Sequence, residues 1–227
     1  MSIQKHKEMV AEAAIERLLA LPSDSLRIGI GTGSTSECFI KLLPIVRDKI
    51  DVLVSSSERS SELLREVGFT VCDLNEIGSL DLYVDGADEI NEDLELIKGG
   101  GAALTREKVL ASAAEIFICI ADQTKLVDRL GAFPVPIEVL PMARNVVARE
   151  LVSIGAQPIW REGVVTDNGN WIIDAHGLDI DAPKELECQL ELTAGVVCSG
   201  VFAHRAADIA LVWAHNGLRT YRSKHGS

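Results

Sequence analysis

The amino-acid sequence predicts an α/β protein with a doubly wound, mostly parallel sheet and a second, smaller α+β subdomain. Three observations predict this fold class: short, continuously apolar runs typical of buried parallel strands, helical patterns that alternate with them, and a change of pattern after about residue 130. The 227 residues are enough for one large domain or for one and a half, and the 47% hydrophobic content is typical of a soluble globular protein.

The first part of the chain carries the alternation of strands and helices. The predicted strands are 26–31, 52–57, 69–74, 82–88 and 116–122. The predicted helices are 5–20, 35–43, 58–67 and 105–115. Because the strands are expected to be parallel, their carboxyl ends should meet at one edge of the sheet.

The pattern after residue 130 predicts a small antiparallel subdomain. The proline-rich run "GAFPVPIEVLP" precedes a helix near 142–154, a hairpin turn at 167–170, a helix near 183–192 and the run "AGVVCSGVF". This order, β-α-β-β-α-β, is a known α+β motif. The tail "ADIALVWAHNGLRTYR" is expected to return to the first sheet, so we place the sheet domain at 1–129 and 204–227 and the subdomain at 130–203.

Charge and composition exclude several classes of protein. A net charge of −12 weighs against a nucleic-acid partner, which requires a concentrated basic surface. No apolar stretch reaches the roughly 18–20 residues that cross a bilayer, and the charged N-terminal segment is unlike a signal peptide, so we expect no membrane partner and a cytoplasmic location. The five cysteines show no Cys-x-x-Cys spacing, which weighs against a disulfide framework and a structural zinc site.

Polar or glycine-rich segments follow four of the predicted strands. They are 31–35, 55–57, 85–88 and 122–125, and a further segment, "KGGG" at 98–101, precedes the helix that begins near Thr105. Ligands bind beyond the carboxyl ends of parallel strands and near helix N-termini. We therefore expect a binding site at this edge of the sheet.

The glycine-rich turn "GTGSTS" is not a dinucleotide fingerprint, because a serine, Ser34 or Ser36, stands where the third glycine would be. The chain also lacks a nucleotide P-loop sequence. The exposed amides and the hydroxyls of Thr32, Ser34 and Thr35 suit a single phosphate monoester. A tight turn with a helix-capping hydroxyl is the alternative.

The segments "DGADEI" and "KGGGAALTREK" carry the other chemically informative side chains. Asp85 and Asp88 could bind sugar hydroxyls or face solvent in a turn, and further ligands for a metal are not apparent, so we predict no metal. Three consecutive glycines suggest a close backbone approach to a ligand, with Lys98 supplying a cation. Glu107, in the first helical turn, could serve catalysis or complement the helix dipole, and Lys125 taken alone could be a surface lysine.

Taken together, "GTGSTS", "SSSERS", "DGADEIN", "KGGGAALTREK", "FICIADQTK" and "VVTDNGNWIID" resemble the ribose-5-phosphate isomerase family of the A type, in order from about residue 26 to 213. The resemblance implies interconversion of D-ribose 5-phosphate and D-ribulose 5-phosphate in the non-oxidative pentose phosphate pathway, without a cofactor. It also implies a Rossmann-like domain with a smaller ferredoxin-like domain, in a homodimer or possibly a tetramer.

The resemblance further implies the site residues. The expected substrate contacts are Thr32, Gly33, Ser34, Thr35, Asp85, Gly86, Ala87, Asp88, Lys98, Gly99, Gly100, Gly101 and Lys125. Glu107 is the expected proton acceptor. "ADQTK" and "GVVCSGVF" depart from the usual family pattern, and we expect the second to affect packing rather than chemistry. Whether Lys5 or Lys7 binds phosphate stays open, as does which lysine serves the phosphate and which the reacting carbons.

The expected mechanism is proton transfer through a cis-enediolate. Glu107 would carry the proton between C2 and C1, Lys98 would stabilise the enediolate, and Asp85 and Asp88 would hold hydroxyls and help open the furanose ring. A metal-assisted hydride shift is the rival chemistry. A non-catalytic sugar-phosphate sensor is the alternative function, although the segment before residue 26 is too short for a helix-turn-helix.

Overall fold

The computed structural model of the chain describes residues 2–223. Within them the chain forms two compact units: a sheet unit of 2–86, 109–125 and 207–223, and an α+β unit of 87–108 and 126–206. This grouping assigns 87–108, which the sequence-based division places in the sheet domain, to the α+β unit. The boundaries at 129/130 and 203/204 stay a prediction.

The helices are α1 (Ile3–Leu19), α2 (Ser34–Leu42), α3 (Glu58–Glu66), α4 (Leu74–Ile77), α5 (Leu104–Ala113), α6 (Arg144–Ser153) and α7 (Pro183–Glu191), with short 3₁₀ segments at Leu43–Lys49, Gln123–Lys125 and Pro141–Ala143. The strands are β1 (Leu26–Ile30), β2 (Ile50–Ser55), β3 (Leu80–Asp85), β4 (Glu89–Ile90), β5 (Leu96–Ile97), β6 (Ala114–Asp122), β7 (Val135–Val139), β8 (Gln157–Trp160), β9 (Trp171–His176), β10 (Val196–Ser199), β11 (Val201–Phe202), β12 (Ile209–Ala214) and β13 (Gly217–Arg222). Among residues 2–223, no helix has the length and apolarity to span a membrane.

The sheet unit is built on a six-stranded sheet in the order β13-β12-β6-β3-β1-β2. Strands β2, β1, β3, β6 and β12 are parallel, and β13 pairs antiparallel with β12. The order reverses between β1 and β3, because the chain goes outward from β1 to β2 and then returns to β3 on the other side. Such a switch point opens a ligand crevice at the carboxyl ends of the strands.

Apolar side chains on both faces of this sheet explain the continuous apolar runs. On one face, Val10 of α1, Phe39 of α2 and Ile28 of β1 belong to one buried cluster. On the other face, Tyr83 of β3 and Phe117 of β6 are also fully buried. Parallel strands covered on both faces have no solvent side, so their sequences do not alternate between apolar and polar residues. The predicted parallel sheet is confirmed, and so is the return of the tail to it.

The α+β unit contains a four-stranded antiparallel sheet in the order β10-β7-β9-β8. Strands β7, β8, β9 and β10 and helices α6 and α7 follow the predicted β-α-β-β-α-β order. The turn between β8 and β9 is closed by two backbone hydrogen bonds, Gly169 N–H to Thr166 O at 2.8 Å and Thr166 N–H to Asn170 O at 2.9 Å. A separate small sheet has the order β11-β5-β4. The predicted fold class is confirmed.

The predicted strand at 69–74 is wrong. Residues 69–73 form no helix or strand, and α4 begins at Leu74. Phe69 and Val71 pack against the core, which explains their apolar character, and the Cys72 N–H donates to Leu53 O at 2.8 Å. The segment therefore covers the core beside the edge strand β2 without forming a ladder with it.

The predicted strand at 82–88 is too long, because β3 ends at Asp85. Residues 86–88 leave the sheet and lead to the short antiparallel pair of β4 and β5, which the sequence analysis did not predict. The acidic segment after β3 therefore lies at the end of the strand rather than within it.

Candidate active site

The turn 31–35 connects β1 to α2 at the switch point of the sheet unit. The Gly31 N–H donates to Val84 O at 2.9 Å, and Gly33, at φ +103°, stands immediately before the helix. A Cβ on Gly31 would lie 1.8 Å from Cγ of Asp85, so only glycine fits there. Gly33 and Ser34 are exposed, which leaves the start of α2 open to a ligand.

Asp85, the last residue of β3, holds this turn in place through hydrogen bonds. Its side chain is buried, and Oδ1 accepts hydrogen bonds from Thr32 N–H at 3.0 Å, Ser36 Oγ at 3.1 Å and Gly86 N–H at 2.7 Å. Oδ2 accepts a hydrogen bond from the hydroxyl of Tyr83. Four donors from both sides of the switch point therefore satisfy a buried carboxylate, which fixes the turn relative to β3.

Replacing Gly31 with alanine is expected to destabilise the protein by about 3 kcal/mol, the upper end for overpacking, because the new methyl group must displace Asp85. Urea denaturation measures the loss. Gly86→Ala is the matched control, because its Cβ would lie 3.7 Å from the nearest atom, Ile120 O, and should cost little stability. Equal stability of the two variants would contradict the close packing of Gly31 on Asp85.

A lysine from α1 contacts the turn. Lys7 Nζ donates to Ser34 Oγ at 2.7 Å, whereas Lys5 Nζ pairs with Glu8 at 3.3 Å on the surface. Of the two lysines that the sequence analysis left open, Lys7 is therefore the one at the glycine-rich turn. It brings a positive charge to a protein whose net charge is −12.

Further polar groups lie at the same edge of the sheet. The hydroxyls of Thr32 and Ser56 are 2.8 Å apart, which joins the turn to the serine run after β2. Lys125 ends the 3₁₀ segment after β6 and is half-buried. The carboxyl ends of β1, β2, β3 and β6 thus supply amides, hydroxyls and Lys125, and α1 adds Lys7. These are groups that bind phosphate.

The α+β unit holds an ion pair between Lys98 and Glu107. Lys98 Nζ lies 3.2 Å from Glu107 Oε2, and the two residues are only 3% and 4% exposed. Glu107 stands in the first turn of α5, and Lys98 Nζ lies 5.6 Å from the centre of the Phe202 ring. Burying two charges is costly unless they are paired, so such a pair in a candidate site points to a chemical role.

The glycine segment beside Lys98 is held by two charged side chains. The Gly100 N–H donates to Asp88 Oδ2 at 2.8 Å, and the Arg161 guanidinium donates to the carbonyls of Gly99 and Gly100 at 3.1 Å each. Arg161 is itself paired with Asp174. Gly99 is buried and has φ +106°, where a side chain would be strained, whereas Gly100 and Gly101 are exposed and accessible to a ligand.

Lys108, next to Glu107, is surrounded by acidic groups. Its Nζ lies 2.6 Å from Glu187 Oε1 and 2.5 Å from Glu191 Oε1. Burial lowers the pKa of Lys108, but neighbouring anionic groups outweigh it and raise the pKa above its ordinary value. The Cys198 thiolate would be one of these anionic groups, but burial raises the pKa of the Cys198 thiol to about 11. At neutral pH the anions beside Lys108 are therefore the carboxylates of Glu187 and Glu191.

The structure thus groups the predicted residues within each unit. The sheet unit brings together Thr32, Gly33, Ser34, Thr35, Asp85 and Gly86, with Lys125 at the same sheet edge. The α+β unit brings together Asp88, Lys98, Gly99, Gly100 and Glu107; Ala87 precedes Asp88, and Gly101 is exposed before α5. Within residues 2–223, no group of three or more His, Cys, Asp or Glu side chains is arranged to hold a metal ion.

Sequence reasoning missed several residues of these groups. Lys7 is an open alternative in the sequence, and Arg161 is not predicted, since an isolated cation far along the chain carries no local signal. The sequence predicts Tyr83 only as part of a strand, and its hydrogen bond to Asp85 is not predicted. Ser56 lies within the serine run that follows the second predicted strand, and this run is the one signal in the sequence that places Ser56 at the sheet edge.

Comparisons with known proteins agree with the fold described above. The family model described as ribose 5-phosphate isomerase A (phosphoriboisomerase A) matches residues 52–217. A crystal structure of ribose 5-phosphate isomerase A from Neisseria gonorrhoeae is 43% identical, with a TM-score of 0.93 and 98% of each chain covered. A D-ribose-5-phosphate isomerase in complex with phospho-erythronic acid is 39% identical over 98% of this chain and 100% of that chain, at a TM-score of 0.91. The enzyme from Plasmodium falciparum is 32% identical, at a TM-score of 0.89 over 98% of this chain and 100% of that one.

Proposed function

Because the chain belongs to the ribose 5-phosphate isomerase A family and is therefore an isomerase, we propose that it interconverts D-ribose 5-phosphate and D-ribulose 5-phosphate. The observation that carries this proposal is the buried pair of Lys98 and Glu107 beside an accessible glycine segment. A relative in complex with phospho-erythronic acid, a phosphorylated sugar acid, supports a ligand of the same chemical class.

The proposed chemistry is proton transfer by Glu107 through a cis-enediolate. Moving the carbonyl from C1 to C2 requires one proton to leave C2 and one to arrive at C1, and a carboxylate on one face of the enediolate does both. Lys98 stabilises the charge that develops on the enediolate oxygens, which is worth most in a dry site. The burial of both side chains and their 3.2 Å separation support these roles.

We propose that the phosphate is held by the turn 31–35 with Lys7 and Lys125. The contact of Lys7 with Ser34 and the open start of α2 support this assignment. Lys98 is then the lysine that serves the enediolate, since its charge is already paired with the proposed base. Phosphate binding would hold the reacting carbons in place and so contribute to the rate.

We propose that Asp88 and Asp85 assist opening of the furanose ring in different ways. Asp88 is half-buried and can accept a sugar hydroxyl while it holds the Gly100 amide. Asp85 is buried among four donors, and this geometry supports a contribution through the shape of the turn 31–35. Direct contact of Asp85 with substrate stays a prediction.

The metabolic and cellular setting follows from the substrate. We propose that the enzyme acts in the non-oxidative branch of the pentose phosphate pathway, where these two pentose phosphates interconvert. Independence from a cofactor, a cytoplasmic location and a homodimer, or possibly a tetramer, stay predictions.

A direct assay in D₂O tests the proposed function. Ribose 5-phosphate is incubated with the purified protein, and ribulose 5-phosphate is followed by NMR. We expect turnover that EDTA does not reduce, with solvent deuterium at C1 of the product. Turnover with little deuterium and loss of activity in EDTA would instead establish a hydride shift, and binding without turnover would establish the sensor.

A further inference from the structure

The motif "VVTDNGNWIID" contains the hairpin loop 166–170, which carries none of the proposed catalytic residues. We propose that this loop and Glu138 of β7 form a polar bracket, in which Glu138 is a positioning residue that fixes the first turn of α5 and thereby the carboxylate of Glu107. The inference rests on the proposed role of Glu107 as the base.

Glu138 is the centre of the bracket. It is 0% exposed, and Oε1 accepts hydrogen bonds from Thr166 Oγ1 at 2.9 Å, Asn170 Nδ2 at 2.8 Å and Asn168 Nδ2 at 3.1 Å. Oε2 accepts a hydrogen bond from Thr105 Oγ1 of α5. The carboxylate therefore joins the hairpin loop to the residue two positions before Glu107.

The residues on both sides of Glu107 are fixed in the same way. The Arg106 guanidinium donates to Asn168 Oδ1 at 2.9 Å and to Asp167 O at 3.0 Å, which is a second link from α5 to the loop. On the other side, Lys108 is bonded to Glu187. Since the neighbours of Glu107 in sequence are each bonded to other elements of the α+β unit, the start of α5 cannot rotate without breaking several hydrogen bonds.

Stability alone does not explain the bracket. The backbone hydrogen bonds between Thr166, Gly169 and Asn170 already close the hairpin turn without Glu138. A buried carboxylate pays a desolvation cost that an apolar residue of similar size would avoid, and such replacements are often neutral or stabilising. What an apolar residue could not supply is an acceptor for the hydrogen bond from the Thr105 hydroxyl, which sets the orientation of the helix start.

Thr105→Val is the main test, because valine keeps the branched shape and removes only the hydroxyl. A misplaced base loses rate rather than affinity, so we expect kcat to fall about 10- to 100-fold with KM within about twofold. Thr105→Ser retains the hydroxyl and should restore kcat to near the wild-type value. Deuterium exchange into the product should fall in parallel with kcat in the valine variant.

A double-mutant cycle separates positioning of the base from a general structural effect. In the Glu107→Gln background, Thr105→Val should lower kcat by less than about twofold, because no base is left to position. Glu138→Gln is a second variant on the same link, and its effect on kcat should be much less than additive with Thr105→Val. If Thr105→Val lowered kcat in either double variant by as large a factor as it does alone, the inference would be overturned.

Asp81→Asn is the matched control for loss of a multiply bonded carboxylate. Asp81 accepts hydrogen bonds from Arg27 at the opposite end of β3 from Asp85, so its loss should lower Tm and leave kcat unchanged. If Thr105→Val keeps the wild-type kcat while Glu107→Gln has a strongly reduced kcat, this inference is wrong and the role of Glu107 as the base stands. Wild-type kcat in Glu107→Gln would overturn the role of the base, and this inference with it.

Discussion

Replacement of Glu107 by glutamine is expected to lower kcat about 10²–10⁴-fold or more, with a much smaller change in KM. Glutamine has nearly the same shape and can still lie beside Lys98, but its amide cannot accept the proton from C2. Steady-state kinetics with ribose 5-phosphate measures the loss, and NMR in D₂O should show that exchange of solvent deuterium falls with it.

The matched control is Glu150→Gln, the same change at an exposed position of α6. It should leave kcat and Tm unchanged. A Glu107→Gln variant that retains a tenth of the wild-type kcat would remove Glu107 from the role of base. Equal melting temperatures for the two variants would establish that the loss of rate is chemical rather than structural.

Replacement of Lys98 by glutamine is expected to lower kcat about 10²–10³-fold, the usual loss when a preorganised group no longer stabilises a developing oxyanion. The change also removes the cation 3.2 Å from Glu107. Steady-state kinetics with ribose 5-phosphate measures the loss.

Two substitutions serve as controls for Lys98. Lys98→Arg keeps the charge and should lie between the glutamine variant and the wild type, because the planar guanidinium does not reproduce the geometry of an ammonium. Lys184→Gln, at an exposed position of α7, should have no effect on kcat. An increase in KM for Lys98→Gln with kcat unchanged would contradict a role at the enediolate and would assign Lys98 to ground-state binding.

Strands and motifs were predictable where their signal is contiguous in the chain. The run at 26–31 is apolar because β1 is covered on both faces, and the glycine at position 31 is required because Asp85 occupies the space of a side chain. The run at 69–74 has the same apolar character for a different reason, since Phe69 and Val71 pack on the core from a segment outside the sheet. Composition alone does not distinguish the two cases.

The sequence by itself determined the fold class, the family and the short segments of the candidate site, because each of them is visible as a contiguous run of apolar residues, glycines or closely spaced acids. Only the tertiary structure decided that Lys7 rather than Lys5 contacts the turn, that Arg161 holds the glycine segment and that Glu138 bonds to Thr105. Each of these contacts joins residues that are 27 to 62 positions apart. Such contacts depend on how helices and sheets pack, and the pairing of two polar residues that are distant in the chain leaves no local signature.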